Sequence, residues 1–300
     1  MPPTPFAVFL ALSGPALSMS AAGLALLAIG LAAAKNDIAQ ARGIDKVVAL
    51  TNLCFAFPLA VFGAEHLSSA QALLLGVPPY MPWRMFWVYF VGFALIAASL
   101  SIATKRLVRW SALLFGVMMF LFVAMLHLPG AISVGGRIPW TIVFREMSFG
   151  SGGWVLAGTA MMRANRDGLG RGLIAVGRVP IALAAIFFGV EHFLHPLGLP
   201  GVPLEKLMPL WVPGRPIVDY VTGAFLLAAG VCFLLAAKVR TAATYLGAWI
   251  VFLVVVIYGP VLIGALGDAS AGIQVEGLNY FADTLLFGGV ILSLAGTDRK

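Results

Sequence analysis

The sequence is poor in charged residues: Asp, Glu, Lys and Arg make up 10% of its 300 residues, whereas a soluble domain carries about 25%. Cysteine is also scarce, since Cys54 and Cys232 both lie in apolar stretches and no CxxC pair occurs. A thiol-exchange site needs two thiols within reach of each other, so we interpret both cysteines as packing residues. No nucleotide-binding loop, haem motif or nucleophile elbow is present. The composition therefore argues against an ordinary soluble domain, and no common catalytic motif replaces it.

Hydrophobic residues dominate the chain, at 61% of the total with a mean hydropathy of +1.00. A membrane-spanning helix needs about 20 mostly apolar residues. Nine stretches meet this condition: 13–34, 47–66, 86–104, 110–127, 141–162, 173–193, 217–237, 243–263 and 278–296. The first has no basic residue before Lys35, unlike a cleaved signal, so we expect it to remain as a helix. We predict an all-α, polytopic transmembrane bundle of about nine spans in a lipid bilayer.

The basic residues are unevenly distributed between the two sets of connections. Thirteen lie in one set, Arg299 and Lys300 among them, and four lie in the other. Because cytoplasmic loops are enriched in Lys and Arg, we predict an outer N-terminus and a cytoplasmic C-terminus. The net charge of +7 is thus a topology signal. Nucleic acid is not an expected partner, because the basic residues are scattered over short loops.

Two segments of the chain repeat. "FGAEH" at 62–66 matches "FGVEH" at 188–192 with an offset of 126 residues, and 77–99 align with 208–230 at an offset of 131. The predicted helices that carry these segments form two sets of four. Because four spans return the chain to the same side, the two copies are expected to be parallel repeats about an axis along the membrane normal.

The predicted organisation therefore has three parts. An N-terminal transmembrane helix occupies 1–34, the first four-helix repeat occupies 47–162, and the second occupies 173–297. The first helix stands outside the repeated pair.

The repeated unit resembles the DoxX-like membrane proteins. The resemblance rests on the "GxEH"-like end of the first helix, a "VP…MP…W" loop, a "G…LLAAG" second helix and a "LHLP" end to the third, and it covers about 47–297. It implies a multi-pass protein of the bacterial-type inner (plasma) membrane. Some members are linked to thiosulfate:quinone oxidation and many have no known activity, so the resemblance indicates the membrane location more strongly than any reaction. A quinone ligand and a membrane redox protein as a partner are the expectations that those linked members suggest. The doubled unit and the extra first helix depart from the family's single four-helix bundle, so no oligomeric state is carried over.

Polar side chains gather near the predicted outer ends of the repeated helices. A rise of 1.5 Å per residue places them in one layer, roughly within 8 Å of the outer boundary. An intramembrane carboxylate is costly unless it is paired or used, which makes it a functional candidate. We predict that these residues line a shared polar cavity open to the outer side, or two equivalent pockets. They are Glu65, His66, His127, Glu146, Glu191, His192, Tyr258 and Asp283.

A quinone or similar amphiphile is one ligand that such a layer suits. Histidine and a partly buried carboxylate supply hydrogen bonds and a proton route to its head group. Four aromatic residues could sandwich the ring, although the same residues are typical of an interfacial aromatic belt. They are Trp83, Trp87, Trp211 and Tyr220.

A metal ion is a second hypothesis, because Glu191, His192 and His195 share helical spacings of three and four residues. Pro196 comes directly after His195, so His195 is expected at the end of its helix. A histidine at a helix end is more often an interfacial residue than a metal ligand, which argues against a metal ion.

Structural pairing is a third hypothesis, in which Glu65 and Glu191 bind arginines of the other repeat; the candidates are Arg84, Arg178 and Arg215. Transport, channel activity or a purely structural role in the membrane also remain open. Transport is less favoured, because no charged residue is predicted at mid-membrane. Whether the protein is an enzyme, and on which substrate, is undecided by the sequence.

Overall fold

The computed structural model of the protein describes residues 12–297, and within that range it is helical with no β-strand, which confirms the predicted all-α class. The first eleven residues of the predicted N-terminal helix, and Arg299 and Lys300, lie outside the described residues. The α-helices are α1 (Gly14–Gln40), α2 (Asp45–Val48), α3 (Thr51–Ser68), α4 (Ala70–Leu73), α5 (Arg84–Ala103), α6 (Val108–Phe122), α7 (Leu128–Val134), α8 (Arg137–Met162), α9 (Asp167–Leu194), α10 (Arg215–Leu234), α11 (Val239–Leu253), α12 (Gly259–Leu266) and α13 (Ala271–Ala295).

Each of the nine predicted stretches corresponds to a long helical segment within the described residues. Judged by length and composition, seven of these segments could cross a membrane, or eight if α3 and the bent turn after it form one broken span. The predicted stretch at 141–162 falls short of this criterion. Its helix, α8, carries Arg145, Glu146 and a run of Ser and Gly, and much of its length is buried against other helices.

The last helix, α13, forms the centre of the bundle. In its most apolar window 78% of the residues are buried, against 22% for α1 at the periphery. It packs against α3, α8 and α11, and α8 in turn packs against α6 and α9. Polar side chains on α8 and α13 therefore face protein, where partners can satisfy them.

Two pairs of glycines bring helices into close contact at the sites of the "EH" motifs. A Cβ atom on Gly63 would lie 2.9 Å from the carbonyl oxygen of Gly92, and one on Gly189 would lie 3.0 Å from that of Gly223. Small residues permit such backbone approaches between membrane helices. The contacts fix the C-terminal ends of α3 and α9 against α5 and α10, and so position both Glu-His pairs.

Other features also recur at the offsets seen in the sequence. A π-helical turn follows α6 at Val123–His127, and another follows α11 at Val254–Tyr258. The pair α3 and α5 packs like the pair α9 and α10. These matches agree with two parallel repeats, and the symmetry relating 47–162 to 173–297 stays a prediction.

Candidate functional site

A buried arginine joins two carboxylates between α8 and α13. Arg145 donates from Nε and Nη2 to Glu146 Oε1 over 2.9 and 2.6 Å, and from Nη1 to Asp283 Oδ2 over 2.6 Å. The three side chains are 16%, 8% and 9% exposed, respectively. Charge-assisted bonds of this length are strong, and they offset the cost of burying three ionised groups.

The cluster lies deeper than the sequence predicted. Helix α13 begins seven residues before the predicted span at 278–296, so Asp283 lies about 18 Å along the helix from its first residue. Asp283 therefore lies near the middle of α13, not within the first two turns as the predicted span implied. The predicted span is too short because Gln274 and Glu276, although polar, belong to the helix.

Glu65 joins the same cluster through an amide. Asn279 Nδ2 on α13 donates to Glu65 Oε1 on α3 over 3.0 Å. Asn279 precedes Asp283 by four residues, so the two lie on one face of α13, a turn apart. The structure thus brings together three predicted site residues, Glu65, Glu146 and Asp283, through Arg145 and Asn279.

This cluster forms the base of a cleft of about 390 Å³ between α8, α13 and the loop 195–214. The loop covers this end of the bundle, and its own residues Leu199 and Met208 are buried. At its rim Lys206 pairs with Glu276 over 2.8 Å. The cleft is lined by Ile138, Ile142, Arg145, Leu204, Glu205, Gly272, Val275, Glu276, Asn279, Tyr280 and Asp283.

His192 belongs to a second, closed cluster. Its Nδ1 lies 3.1 Å from Oδ1 of Asp219, and its Nε2 accepts a 3.0 Å hydrogen bond from the backbone N–H of Gly201. Because Nε2 accepts, we assign the ring proton to Nδ1, where it faces the carboxylate. Both side chains are essentially unexposed. Nearby, the Tyr258 hydroxyl donates to the Pro200 carbonyl over 3.0 Å.

Glu191 holds the other side of the same loop. Its carboxylate lies 3.5 Å from Nη1 of Arg137 and 3.7 Å from Nε2 of His195, which confirms the shared helical face. Arg137 also donates to the carbonyls of Pro203 and Leu204 over 3.2 and 3.3 Å. Glu191, His192 and Tyr258 therefore fasten the loop to the bundle instead of lining the open cleft.

The remaining two predicted residues, His66 and His127, do not line the cleft. His66 Nδ1 lies 2.8 Å from the carbonyl oxygen of Phe62 in its own helix. His127 ends the π-helical turn, half-buried, and its side chain makes no hydrogen bond within the described residues. Of the eight predicted site residues, only Asp283 lines the cleft directly. Within the described residues the eight therefore do not all line one cavity: Asp283 lines the cleft, and Glu191, His192 and Tyr258 lie at the loop 195–214. Two equivalent pockets stay a prediction.

The two carboxylates pair with residues other than the predicted arginines. Arg84 and Arg215 donate to backbone carbonyls, those of Leu74, Val77 and Met208. Arg178 Nε has no hydrogen-bond partner within residues 12–297. Glu65 and Glu191 instead bind Asn279 and Arg137. The repeat alignment could not identify these partners, because neither Asn279 nor Arg137 has a like residue in the other copy.

The metal hypothesis has no ligand set: within the described part of the chain, no three His, Cys, Asp or Glu side chains form a group that could hold a metal ion. His192 faces Asp219, while His195 faces Glu191.

The four aromatic residues proposed for a ring sandwich are absent from the cleft lining, and Trp83 is 81% exposed. This exposure favours the aromatic belt.

Three residues of the site were not predicted from the sequence: Arg145, Asn279 and Asp219. Each is a polar residue within a mostly apolar helix, and that pattern could have identified them.

No family model matches the chain, and neither a curated protein nor a solved structure gives a significant match. The resemblance to DoxX-like proteins therefore gains no support from these comparisons and is not contradicted by them.

Proposed function

We propose that this multi-pass membrane protein binds a quinone, or a similar neutral amphiphile, in the cleft above Arg145. The observation that carries the proposal is the buried guanidinium at the base of the cleft. Three of its N–H groups are engaged with Glu146 and Asp283. A guanidinium has five, so two remain for a carbonyl oxygen of a bound head group.

The charges around the cleft favour a neutral ligand over an anion. Its lining contains one basic residue, Arg145, and three acidic ones, Glu205, Glu276 and Asp283. An anionic head group would meet a net negative field, whereas a quinone carbonyl needs only a donor. The aliphatic lining and Tyr280 suit the ring and the start of an isoprenoid tail.

A redox-linked role follows if the bound quinone is reduced. The quinone takes up two electrons from a membrane redox partner and two protons, and it leaves as a quinol. Asp283 lines the cleft, so in this proposal its carboxyl group donates a proton to the reduced head group and is reprotonated by water in the cleft.

Family and orientation complete the proposal. We propose a DoxX-like protein of a bacterial-type inner membrane, with an outer N-terminus and a cytoplasmic C-terminus. The distribution of side chains supports this orientation. Glu65 and Glu191 lie near the C-terminal ends of α3 and α9, at the end of the bundle that holds the cleft. Lys105, Arg109 and Arg163 line a cavity at the other end.

The proposal can be tested with a substitution that fills the cleft and leaves the ion cluster unchanged. Ile142 lines the cleft, so Ile142→Phe should weaken binding of ubiquinone-1 by about tenfold or more, which corresponds to a lost contribution of about 1.4 kcal/mol. The control is Ile132→Phe, at a 69% exposed position outside the cleft, which should leave binding unchanged. Isothermal titration in detergent measures both. Equal affinity in the two variants would mean that the quinone binds elsewhere and that Arg145 is a structural tie.

Transport of a proton or another cation is the second candidate. It is favoured by the ion pair that Asp283, near the middle of α13, forms with Arg145 of α8, and by the acidic lining of the cleft. In proteoliposomes with an entrapped pH-sensitive dye, proton uptake that Asp283→Asn abolishes would support transport. Uptake at the level of empty vesicles would exclude it.

A further inference from the structure

A second cavity of about 390 Å³ lies at the end of the bundle away from the cleft. The two cavities share α13, since Asp283 lines the cleft and Ser293 lines this second cavity. Ten residues separate them, or about 15 Å along the helix. The cavity is therefore independent of the proposed quinone site. Its walls come from α1, the start of α3, the connection between α5 and α6, and the ends of α8 and α13.

We infer that this cavity binds the phosphate group of an anionic phospholipid. Three basic side chains line it, Lys105, Arg109 and Arg163, against one acidic side chain, Asp37. Lys105 is paired with Asp37 over 2.5 Å. Neither Arg109 nor Arg163 forms an ion pair within residues 12–297, so both guanidinium groups are available to a phosphate.

The walls of the cavity are already fixed in place by internal hydrogen bonds. Asn52 Nδ2 donates to the carbonyl of Ile102 over 3.0 Å, and Thr51 Oγ1 donates to that of Val48 over 2.7 Å. Lys105 also donates to the carbonyl of Ala33 over 3.2 Å. A ligand would therefore enter a preformed site, with little ordering of protein groups.

Apolar side chains beside the arginines distinguish a lipid from a free phosphate. Leu107 lines the cavity and is 72% exposed, and Leu114, two turns further along α6, is 63% exposed. Trp110 is also exposed, with the Arg109 guanidinium 5.7 Å above its ring. Tryptophan and arginine at a helix end are typical of the membrane interface. An acyl chain can follow the exposed leucines while the phosphate binds in the cavity that Arg109 and Arg163 line.

Basic pockets between membrane helices are known binding sites for anionic head groups. The distribution of charge agrees with this, because basic residues in the described chain gather at this end of the bundle, where we predict the cytoplasmic leaflet. Inorganic phosphate shares the chemistry of the head group, so the experiment must separate the two sources.

The experiment measures lipid retention by native mass spectrometry of the full chain, purified in detergent and titrated with phosphatidylglycerol or phosphatidylcholine. The wild type should retain one phosphatidylglycerol in preference to phosphatidylcholine. The double variant Arg109→Gln/Arg163→Gln should bind it roughly thirtyfold more weakly, which is what two basic residues contribute at an anionic membrane surface. The control Arg106→Gln/Arg171→Gln removes two exposed charges outside the cavity and should bind as the wild type does.

Two further measurements make each outcome decisive. Thermal unfolding in phosphatidylcholine nanodiscs should be equal for both double variants, so that a change in lipid binding is not a loss of fold. Excess inorganic phosphate should fail to displace the retained lipid. If phosphate displaces it, or binds with equal affinity alone, the site is a phosphate site and the lipid assignment is wrong. Equal lipid retention in the two double variants would overturn the site altogether.

Discussion

Replacing Arg145 by glutamine should destabilise the bundle more than any other single charge removal in the described chain. Arg145→Gln leaves Glu146 and Asp283, 8% and 9% exposed, without their shared cation. Removing one partner of a buried ion pair typically costs about 3–5 kcal/mol. We expect about 3 kcal/mol, since Arg145 is 16% exposed at the cleft and water there can hydrate part of the cluster. Unfolding by SDS in mixed micelles, followed by circular dichroism, measures the change.

The double variant Arg145→Gln/Asp283→Asn separates charge from shape. It removes the cation and one of the two carboxylates, so it should recover at least about 1 kcal/mol of the loss, a coupling in the range seen for residues of one network. Arg171→Gln, at an exposed position on α9, should change stability by less than about 0.5 kcal/mol. If Arg145→Gln costs as little as Arg171→Gln, or if the double variant is less stable than the single one, the cluster does not carry the charge balance described.

Three further predictions concern packing, the outer loop and topology. Gly116→Ala should destabilise by about 1–3 kcal/mol through overpacking, since its Cβ would lie 2.7 Å from the carbonyl oxygen of the facing helix, whereas Gly130→Ala, with no atom within 4 Å, should be neutral or stabilising in the same SDS titration. Tyr258→Phe removes a hydrogen bond to the loop 195–214 and should cost about 1 kcal/mol, visible as faster proteolysis of that loop; an unchanged rate would show that the bond does not hold it. In intact cells, a cysteine at Leu207 should react with an impermeant thiol reagent and one at Arg106 should not, and the reverse pattern would invert the proposed orientation.

The helices could be predicted because their signal is local. An apolar stretch of about 20 residues forces the backbone to satisfy its own hydrogen bonds, whatever packs around it. The ends of each helix are harder to predict from the sequence, because a helical turn with polar residues, such as those at the start of α13, resembles a loop. The repeat likewise gave the equivalence of the two "EH" motifs, which the glycine contacts place at like positions on α3 and α9.

The site could be predicted only in part, because its partners are distant in sequence. Arg145 and Asp283 are separated by 138 residues, and Glu65 and Asn279 by 214. No local spacing encodes such pairs. The repeat led to a wrong expectation where the two copies differ in sequence. Asp219 contacts His192, but the corresponding position in the first copy is Val88. His66 therefore lacks that carboxylate, and its Nδ1 lies beside the Phe62 carbonyl of its own helix. Equivalent histidines therefore have different environments.

Photolabelling in native membranes with an azido derivative of ubiquinone-1, followed by mass spectrometry of the peptides, would locate the bound quinone. We expect label on two segments that line the cleft, the peptide with Ile142 in α8 and the peptide with Tyr280 in α13, and loss of that label with excess ubiquinone-1. Label confined to lipid-exposed positions such as Phe93 on α5, with no competition by the unmodified quinone, would contradict a quinone site in the cleft.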